Sequence, residues 1–333
     1  MEMIKKIQSI IPKLYQVGGS VRDKLLGNIP KDYDFTTPFP PDEIEKLIRN
    51  AGKKPYNIGR KFGTLGMKMD GELIEITTFR TEQYTPGSRK PKVEFVTNIT
   101  EDLGRRDFTI NAMAMNGNGK IIDPFHGRQD LKDKLIRCVG KPKQRFKEDP
   151  LRILRGARFA GQLGFHIDKD TLEYMRKMRF YLLNVSKERW CMELDKILMS
   201  DNPKIGLNVL METGVFNVII PELSLQYCFD QESPYHSLNL WEHTLGVVEG
   251  VPKELHLRWS ALLHDIGKPF VKIINKHGTY YNYISHEMVS AEIAIKTGLY
   301  LKRSNKWVKE VHDLVVDHME VDSPLKEADN NAK

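Results

Sequence analysis

The chain has 333 residues, of which 40% are hydrophobic and 29% are charged, and this length and composition are typical of a globular protein with two or three domains. No apolar run approaches the roughly 20 residues that a membrane-spanning helix needs, so we expect no membrane partner and a cytoplasmic location. The formal net charge of +7 suits a polyanionic partner such as a nucleic acid, although many basic proteins bind none.

The first predicted elements are a strand at residues 14–17, a glycine turn and a helix in VRDKLLG. A glycine turn at a helix N-terminus presents backbone N–H groups to a phosphate without an intervening side chain. The candidate nucleotide-binding residues of this segment are Gly18, Gly19 and Ser20 in the turn and Arg22 one turn into the helix.

The segment KDYDF predicts a strand on which Asp32 and Asp34 leave the same face. Two adjacent carboxylates suit Mg²⁺ when substrate phosphates supply further ligands. The segments FGTLGMKM and LIEITTF predict a hairpin, because the Asp70-Gly71 turn between them favours positive φ. Glu75 in the second segment is the best candidate for a third carboxylate in a two-metal site. A DxD alone is often a solvated turn, but its closeness to the glycine turn favours a catalytic site.

Residues 81–95 (TEQYTPGSRKPKVEF) are polar and rich in Gly, Pro and basic residues, which predicts a mobile loop. The segment RRDFTIN follows shortly after. Arg106 suits a phosphate, while Asp107 and Asn111 can hydrogen-bond ribose hydroxyls. The alternative interpretation of this segment is a surface charge pair with a helix cap.

Helical periodicity replaces strand signals from about Pro142 onward. It is clearest in four segments, which are residues 148–164, 187–199, 241–250 and 255–266. The tail KEADNNAK is polar, and we expect it to fray. The three cysteines, Cys138, Cys191 and Cys228, include no CxxC pair, so we expect reduced core residues and neither a disulfide framework nor a thiolate zinc site.

In EDPLRILR, Pro150 is predicted in the first turn of a helix that carries Asp149 and Arg152 on one face. A carboxylate and a guanidinium side by side can recognise the edge of cytosine or adenine, or form a simple salt bridge. Arg155 and Arg158 would continue a basic face along the same helix toward RNA or a triphosphate.

Five motifs in this order resemble the class II transfer-RNA nucleotidyltransferases, the CCA-adding enzymes, and their poly(A) polymerase relatives. They are GGSVRDKLLGNIPKDYDFTT, RRDFTINAMAMN, DPFHG, EDPLRILRGARF and SKERWCMELDKIL. The resemblance implies Mg²⁺-dependent attack of a tRNA 3′-hydroxyl on the α-phosphate of CTP or ATP, with Asp32 and Asp34 as catalytic metal ligands. It also implies that Asp149 and Arg152 select the nucleotide without a nucleic-acid template. The full length of the segment 81–95 implies addition of the terminal A, and an A-adding enzyme or a poly(A) polymerase remains an alternative.

Histidines also recur at wide intervals on the predicted C-terminal helices, and imidazoles with a bridging carboxylate suit one or two divalent transition-metal ions. The set resembles the HD phosphohydrolases and the HD domain of some bacterial CCA-adding enzymes, which implies hydrolysis of 2′,3′-cyclic phosphates or phosphomonoesters. The implied metal ligands are His243, His264, Asp265 and His286. The distal ligand is left open between Asp313, Asp317 and His318, and Lys268 is a candidate phosphate contact. Such relatives continue further after this point, so we expect a shortened C-terminal domain.

We therefore predict an α+β fold with a mixed-sheet nucleotidyltransferase head at residues 1–140. An all-α neck and body at 141–232 would serve nucleotide selection and RNA binding, and a helical HD domain would occupy 233–333. Two rival hypotheses are an HD phosphohydrolase with a non-catalytic RNA-binding head and an RNA chaperone without enzymatic activity. The sequence leaves the choice between monomer and dimer open.

Overall fold

The structure is a computed structural model that describes residues 2–30, 32–84, 92–232, 234 and 237–332. It divides into two compact units, Met1–Asp149 and Pro150–Lys333. A mixed sheet lies in the first unit and helices dominate the second, which confirms the predicted α+β class. The predicted division into three domains stays a prediction.

The first unit combines short helices with strands. Its helices are α1 (Glu2–Gln8), α2 (Gly19–Leu25), α3 (Pro41–Asn50), α4 (Ile99–Gly104), α5 (Gly127–Lys132) and α6 (Pro142–Glu148). Its strands are β1 (Tyr15–Val17), β2 (Asp34–Thr37), β3 (Pro55–Gly59), β4 (Thr64–Met69), β5 (Glu72–Thr78), β6 (Arg80–Gln83), β7 (Lys92–Phe95), β8 (Ala114–Met115), β9 (Ile121–Ile122) and β10 (Leu135–Ile136).

Seven of these strands form one sheet in the order β3-β4-β5-β2-β1-β8-β9. Strands β2 and β5 are parallel, and the other neighbours are antiparallel. The predicted hairpin is confirmed as β4 and β5, whose register closes on the pair Met69 and Glu72. Asp70 and Gly71 in its turn have φ of 51° and 89°, as the Asp-Gly sequence predicts.

The two faces of this sheet differ in polarity. Apolar side chains such as Phe35, Ile74 and Ile76 are buried against residues of α1 and α3. Successive side chains in a strand point to opposite faces, so the intervening residues Asp34 and Glu75 point away from this core. The helices therefore cover one face and leave the acidic residues on the other.

The segment predicted as a loop at residues 81–95 is partly ordered into strands. β6 and β7 pair antiparallel, from Arg80 opposite Phe95 to Gln83 opposite Lys92. Residues 85–91, the centre of the predicted loop, lie outside the described residues.

The second unit is mainly helical. Its helices are α7 (Leu151–Leu163), α8 (Lys169–Met178), α9 (Lys187–Leu198), α10 (Pro203–Glu212), α11 (Phe216–Ile219), α12 (Pro221–Ser224), α13 (Leu240–Gly250), α14 (Leu255–Leu263), α15 (His286–Tyr300), α16 (Asn305–Val316) and α17 (Lys326–Asn331). Its short strands are β11 (His166–Ile167), β12 (Ile273–Ile274) and β13 (Tyr281–Asn282). In the part of the chain that the structure describes, no helix combines the length and apolarity needed to cross a bilayer.

The prediction of a frayed polar tail is wrong. Residues 326–331 form α17, which packs against α13, and Ala328 and Asp329 are buried. The contact is close because α13 presents glycine: a Cβ at Gly250 would lie 3.0 Å from the Cβ of Ala328. Small residues on both helices let a short polar helix bury one face.

Candidate nucleotide site and candidate metal centre

Two carboxylates lie side by side on the exposed face of the sheet. Asp34 begins β2, and it is the register partner of Glu75 on the parallel strand β5. Directly paired residues on neighbouring strands point to the same face, so both carboxylates leave the sheet together. The strand begins two residues later than predicted, so Asp32 precedes it in a bend and is exposed.

The glycine turn lies beside Asp34. Val17 is paired with Asp34 across β1 and β2, and Gly18 follows with φ of 72°. A Cβ built on Gly18 would lie 3.7 Å from Oδ2 of Asp34 and 2.8 Å from Nη1 of Arg106. Because Gly18 has no side chain, its backbone lies close to both the carboxylate of Asp34 and the guanidinium of Arg106.

Arg106 supplies the positive charge at this bend. Its nearest carboxylate partner is Asp102, at 3.7 Å from Nη2 to Oδ2, and its buried Nε has no hydrogen-bond acceptor among the described residues. Burial lowers the pKa of Arg106, while Asp102 and Asp34 oppose this shift, and the guanidinium stays charged because arginine does not lose its proton in proteins. A guanidinium with unfilled donors suits an anionic ligand.

The acids of this face suit a divalent cation. Partial burial raises the pKa of Asp34, the charge of Arg106 opposes this, and the neighbouring charge of Asp32 adds to it. Within the described ranges, none of Asp32, Asp34 and Glu75 has a hydrogen bond or ion pair with another side chain. The carboxylate oxygens of these three acids do not all lie within 4.8 Å of one another. The possible ligand atoms of each cluster in the second unit do.

The predicted ribose contacts bond to each other. The amide of Asn111 donates to Oδ1 of Asp107 at 3.2 Å and accepts from Nη1 of Arg22 at 2.8 Å. This chain of bonds holds the Arg22 guanidinium 3.5 Å from the position of a Cβ on Gly19. The hydroxyl of Ser20 donates to the Val17 carbonyl at 3.0 Å and so stabilises the turn. Ser20, Arg22 and Arg106, three of the residues predicted to bind a nucleotide, thus lie around this bend, and Asn111 and Asp107 hold Arg22 in place.

The prediction that Asp149 lies on the same helix as Arg152 is wrong. Asp149 has an extended backbone, with φ of −139° and ψ of 101°, and α7 begins only at Leu151. Pro150 separates the two segments, because a residue before proline is forced away from helical geometry. A role for Asp149 in nucleotide selection therefore cannot rest on helical spacing.

The predicted basic face along α7 is also partly wrong. Arg158 is buried and pairs with Glu193 of α9 at 3.0 Å, so it faces the interior of the second unit. Arg152 is buried as well, while Arg155 is half-buried. Periodicity alone could not show that the arginine stripe of this helix points inward.

A buried cluster in the second unit joins four histidines and two aspartates. The first group contains His243, His264, Asp265 and Asp329, and the second contains Asp265, His286 and His318. In each group the possible ligand atoms all lie within 4.8 Å of one another. The three histidines implied as ligands, His243, His264 and His286, lie in this cluster with Asp265, and the fourth histidine is His318, one of the alternatives left open for the distal ligand.

Asp265 is shared between the groups by its two oxygens. Oδ2 lies 3.3 Å from Nε2 of His243 and 3.2 Å from Nε2 of His264, whereas Oδ1 lies 3.1 Å from Nε2 of His286. A carboxylate that turns one oxygen to each of two nitrogen sets is arranged to bridge two metal ions.

Each of the four imidazole rings is fixed in its orientation by a backbone carbonyl. Nδ1 of each ring lies 2.6–3.1 Å from a backbone carbonyl oxygen; these carbonyls belong to Ala332 for His243, Ala261 for His264, Tyr283 for His286 and Val315 for His318. A carbonyl only accepts, so Nδ1 carries the hydrogen and the bare Nε2 of each neutral ring points into the cluster. Such outer hydrogen bonds are typical of histidines that ligate metals.

Without a metal ion the carboxylates of the cluster favour protonation of His264, and a metal ion bound there would replace that proton. Burial disfavours protonation of His264, but Asp265 and Asp329 outweigh it and raise its pKa to about 9. Burial, with the neighbouring His264, lowers the pKa of His318 to about 4. Burial opposes the ionised form of Asp265, yet His264 and Lys268 hold its pKa well below the ordinary value. An ionised bridging carboxylate among imidazoles suits divalent transition metals.

The distal acid of this cluster is Asp329, so both acids proposed from the sequence are wrong. Asp313 is exposed and bonds to His312, and Asp317 is exposed. Asp329 was missed because its tail segment has no apolar periodicity, and its burial depends on the glycines of α13. Lys268 does not face solvent: its ammonium lies 2.6 Å from Oδ2 of Asp265 and donates to Gln231.

The cysteine prediction holds for two of three residues. All three cysteines are free, and Cys138 and Cys191 are buried, but Cys228 is exposed.

Three family models match consecutive parts of the chain. The poly A polymerase head domain matches residues 14–137 and includes the glycine bend and the acids. A probable RNA and SrmB-binding site of polymerase A follows at residues 164–226, and an HD domain follows at 235–331 and includes the histidine cluster. These matches confirm the resemblance to class II nucleotidyltransferases with an HD domain.

The chain is similar to curated CCA-adding enzymes. The chain is 42% identical to the CCA-adding enzyme of Bacillus pumilus over 237 residues, which cover 70% of this chain and 58% of that protein. It is 41% identical to the CCA-adding enzyme of Bacillus subtilis over 203 residues, or 61% of this chain and 50% of that one. The chain thus spans little more than half the length of these relatives.

Solved structures resemble the whole chain. The CCA-adding enzyme of Bacillus stearothermophilus in complex with CTP has a TM-score of 0.65 and 27% identity, over 99% of this chain and 81% of that one. The Thermotoga maritima CCA-adding enzyme complexed with tRNA-CCA has a TM-score of 0.63 and 23% identity, over 99% and 76%. The second likeness concerns the fold alone.

Proposed function

We propose that the head domain adds C, C and then A to the 3′ end of tRNA, using CTP, ATP and Mg²⁺. The observation that carries the proposal is the placement of Asp34 in register with Glu75 and beside both Gly18 and Arg106. Acids for a cation and a bare bend for a triphosphate are then adjacent, as nucleotidyl transfer requires. The likeness to CCA-adding enzymes supports tRNA, CTP and ATP as substrates.

In the head domain, acidic residues bind the metal ion and basic residues bind the triphosphate. Asp32, Asp34 and Glu75 hold Mg²⁺, which when bound activates the attacking hydroxyl and neutralises the leaving pyrophosphate. Arg106 binds the triphosphate at the Gly18 bend. Arg22, held by Asn111, adds a second positive charge to that bend. Positioning and charge stabilisation suffice for this chemistry, so it uses no covalent nucleophile.

The decisive test is extension of a tRNA transcript that ends before CCA, with Mg²⁺ and labelled CTP and ATP. We expect extension by the full chain and its loss in Asp34→Asn, with unchanged circular dichroism. Glu72→Gln, an exposed acid on the neighbouring strand β5, is the matched control and should extend normally. No extension by the full chain in any nucleotide mixture would refute the proposal.

Sequencing the products distinguishes the alternatives. Transcripts that end before, within and after CC should all finish as CCA. An A-adding enzyme would extend only the transcript that already ends in CC, and a poly(A) polymerase would add a run of A.

The HD domain supports a second proposed activity, the hydrolysis of 2′,3′-cyclic phosphates or phosphomonoesters. The observation behind it is the pair of metal-type groups that share Asp265. Opening of a 2′,3′-cyclic nucleotide to its phosphomonoester, or phosphate release from a phosphomonoester, with added Mn²⁺, Co²⁺ or Ni²⁺ should persist in Asp34→Asn and vanish in His264→Ala. Equal loss in both variants would show that the activity belongs to a contaminant. The cytoplasmic location stays a prediction.

A further inference from the structure

On the exposed face of the head-domain sheet, a row of paired residues crosses the strands and extends beyond the acids. Asp34 pairs with Glu75, Glu75 pairs with Gly66 on β4, and Gly66 pairs with Tyr56 on β3. Paired residues share a face, and neighbouring strands are about 4.8 Å apart, so Tyr56 lies about 14 Å from Asp34 along this row.

Apolar side chains cover the row between Tyr56 and Glu75. Gly66 has no side chain, and a Cβ built there would meet Cδ1 of Ile58 at 2.6 Å and Cδ1 of Leu73 at 3.1 Å. Ile58 and Leu73 remain 39% and 50% exposed although they lie over the sheet. The result is a flat, apolar, solvent-facing floor next to the acids.

Two lysines flank the aromatic end of this floor. The ammonium groups of Lys54 and Lys68 lie 5.7 Å and 6.0 Å from the centroid of the Tyr56 ring. Both lysines are exposed, and neither pairs with a carboxylate of the described chain. We call Lys54, Tyr56, Ile58, Gly66, Lys68 and Leu73 the platform.

The position of the platform indicates which substrate it receives. Strands β1 and β5 flank β2 on opposite sides. The Gly18 bend and Arg106 lie on the β1 side of Asp34, where the proposed triphosphate binds, and the platform extends from the β5 side. The attacking hydroxyl must therefore approach the acids from the platform.

The chemistry of the platform fits single-stranded RNA. Aromatic and apolar surfaces stack bases of any sequence, and lysines beside them bind the backbone phosphates. Stacked nucleotides rise about 3.4 Å each, so the platform spans about four nucleotides from Tyr56 to Asp34. We infer that the platform holds the last unpaired nucleotides of the RNA 3′ end and aims its terminal hydroxyl at Asp34 and Glu75, an inference that rests on the proposed nucleotidyl transfer.

The charge of the platform is tested by RNA binding, which needs no catalysis. The probe is a 5′-fluorescein tRNA transcript that ends in CC, so that several 3′ nucleotides are unpaired, and its Kd is measured by anisotropy over a range of salt concentrations. We expect the Lys54→Gln/Lys68→Gln double variant to weaken binding about ten-fold and to reduce the slope of log affinity against log salt by about 1.4, since each single-strand phosphate contact adds about 0.7. The KM for CTP at saturating RNA should stay unchanged.

The control is Lys5→Gln/Lys46→Gln, which removes the same charge from exposed residues of α1 and α3, on the other side of the sheet. Equal Kd and salt slope in the two double variants would overturn the inference.

The stacking part is tested at Tyr56. Tyr56→Ala should weaken binding about five-fold or more, because stacking on an aromatic side chain contributes about 1–3 kcal/mol per base. Tyr56→Phe should bind as the unaltered chain does. The preference for a transcript with unpaired 3′ nucleotides over a blunt-ended one should shrink in Tyr56→Ala, and an unchanged preference would contradict the inference.

The two proposals fail separately. If the unaltered chain adds no nucleotide but the platform variants still lose RNA binding, the proposed transfer fails and RNA binding by the platform stands. If the chain extends tRNA while the platform variants bind and extend normally, only the inference is overturned.

Discussion

At the residue scale, two glycines of the head domain have the same backbone conformation, but only one of them has close neighbours. Comparing them distinguishes the effect of backbone strain from the effect of crowding. Gly18 and Gly52 have φ of 72° and 70°, a region that side chains with a Cβ rarely adopt. A Cβ on Gly52 would have no neighbour within 4 Å, whereas one on Gly18 would crowd Arg106 and Asp34. The two positions share the conformational cost of alanine but not its effect on the site.

Gly18→Ala should lose most nucleotide addition, at least about ten-fold in kcat/KM for CTP, because a displacement of about 1 Å at reacting groups is costly. Gly52→Ala should lose about 1 kcal/mol of stability, as Gly18→Ala does, and keep its activity. Initial rates and urea unfolding of both variants check this. Equal activity in the two would show that the bend binds no substrate.

The histidine cluster makes a second prediction at this scale. His318→Ala removes a ligand from one group only, while Asp265→Asn alters the carboxylate that both groups share. With Mn²⁺ present, we expect two bound ions per unaltered chain, one in His318→Ala and a larger loss in Asp265→Asn. Metal analysis after desalting gives these numbers, and two tightly bound ions in His318→Ala would contradict the bridging arrangement.

At the element scale, local patterns predicted the helices and the hairpin but not their tertiary partners. Asp70 and Gly71 need only their own backbone preferences, so the β4–β5 turn could be read from sequence. The pairing of Asp34 with Glu75 joins residues 41 positions apart, so the sequence could propose Glu75 as an acid on a neighbouring strand but could not give its register with Asp34. The burial of Arg158 and of Asp329 depends on neighbours in other helices, Glu193 and the α13 glycines, which no local pattern contains.

The ion pair between α7 and α9 gives an element-scale prediction. Glu193→Ala removes the carboxylate that pairs with the Arg158 guanidinium, whose side chain is 9% exposed, and breaking a buried ion pair should lower the free energy of unfolding by about 3–5 kcal/mol. Replacing both residues, as Arg158→Met/Glu193→Leu, should recover most of this loss. Urea denaturation measures both. A double variant less stable than Glu193→Ala would show that the pair contributes more than mutual neutralisation.

At the scale of the whole molecule, the two proposed activities lie in different compact units. The acids and the glycine bend are within Met1–Asp149, and the histidine cluster is within Pro150–Lys333. A ligand that binds only the folded state stabilises the unit that holds it. Metal bound to the histidine cluster should therefore raise the free energy of unfolding of the second unit.

Chelation tests this separation. With metal at about 100 times its Kd, linkage contributes about 2.7 kcal/mol, which corresponds to roughly 5–10 °C in the melting temperature of a unit of this size. We expect calorimetry to show this decrease after EDTA treatment of the unaltered chain and of Asp34→Asn. Asp265→Asn, which alters the carboxylate that both groups share, should be nearly insensitive to EDTA, and an equal decrease in that variant would place the stabilising metal elsewhere.

The shared carboxylate of Asp265 also has a consequence for how the protein is prepared. An ion held by Oδ2 withdraws electron density from Oδ1, so the second ion meets a poorer donor and competes with the charge of the first. Filling is then sequential and anticooperative. A sample purified at scarce metal would be a mixture of half-loaded and fully loaded molecules, and its specific activity would vary from batch to batch until the growth medium is supplemented.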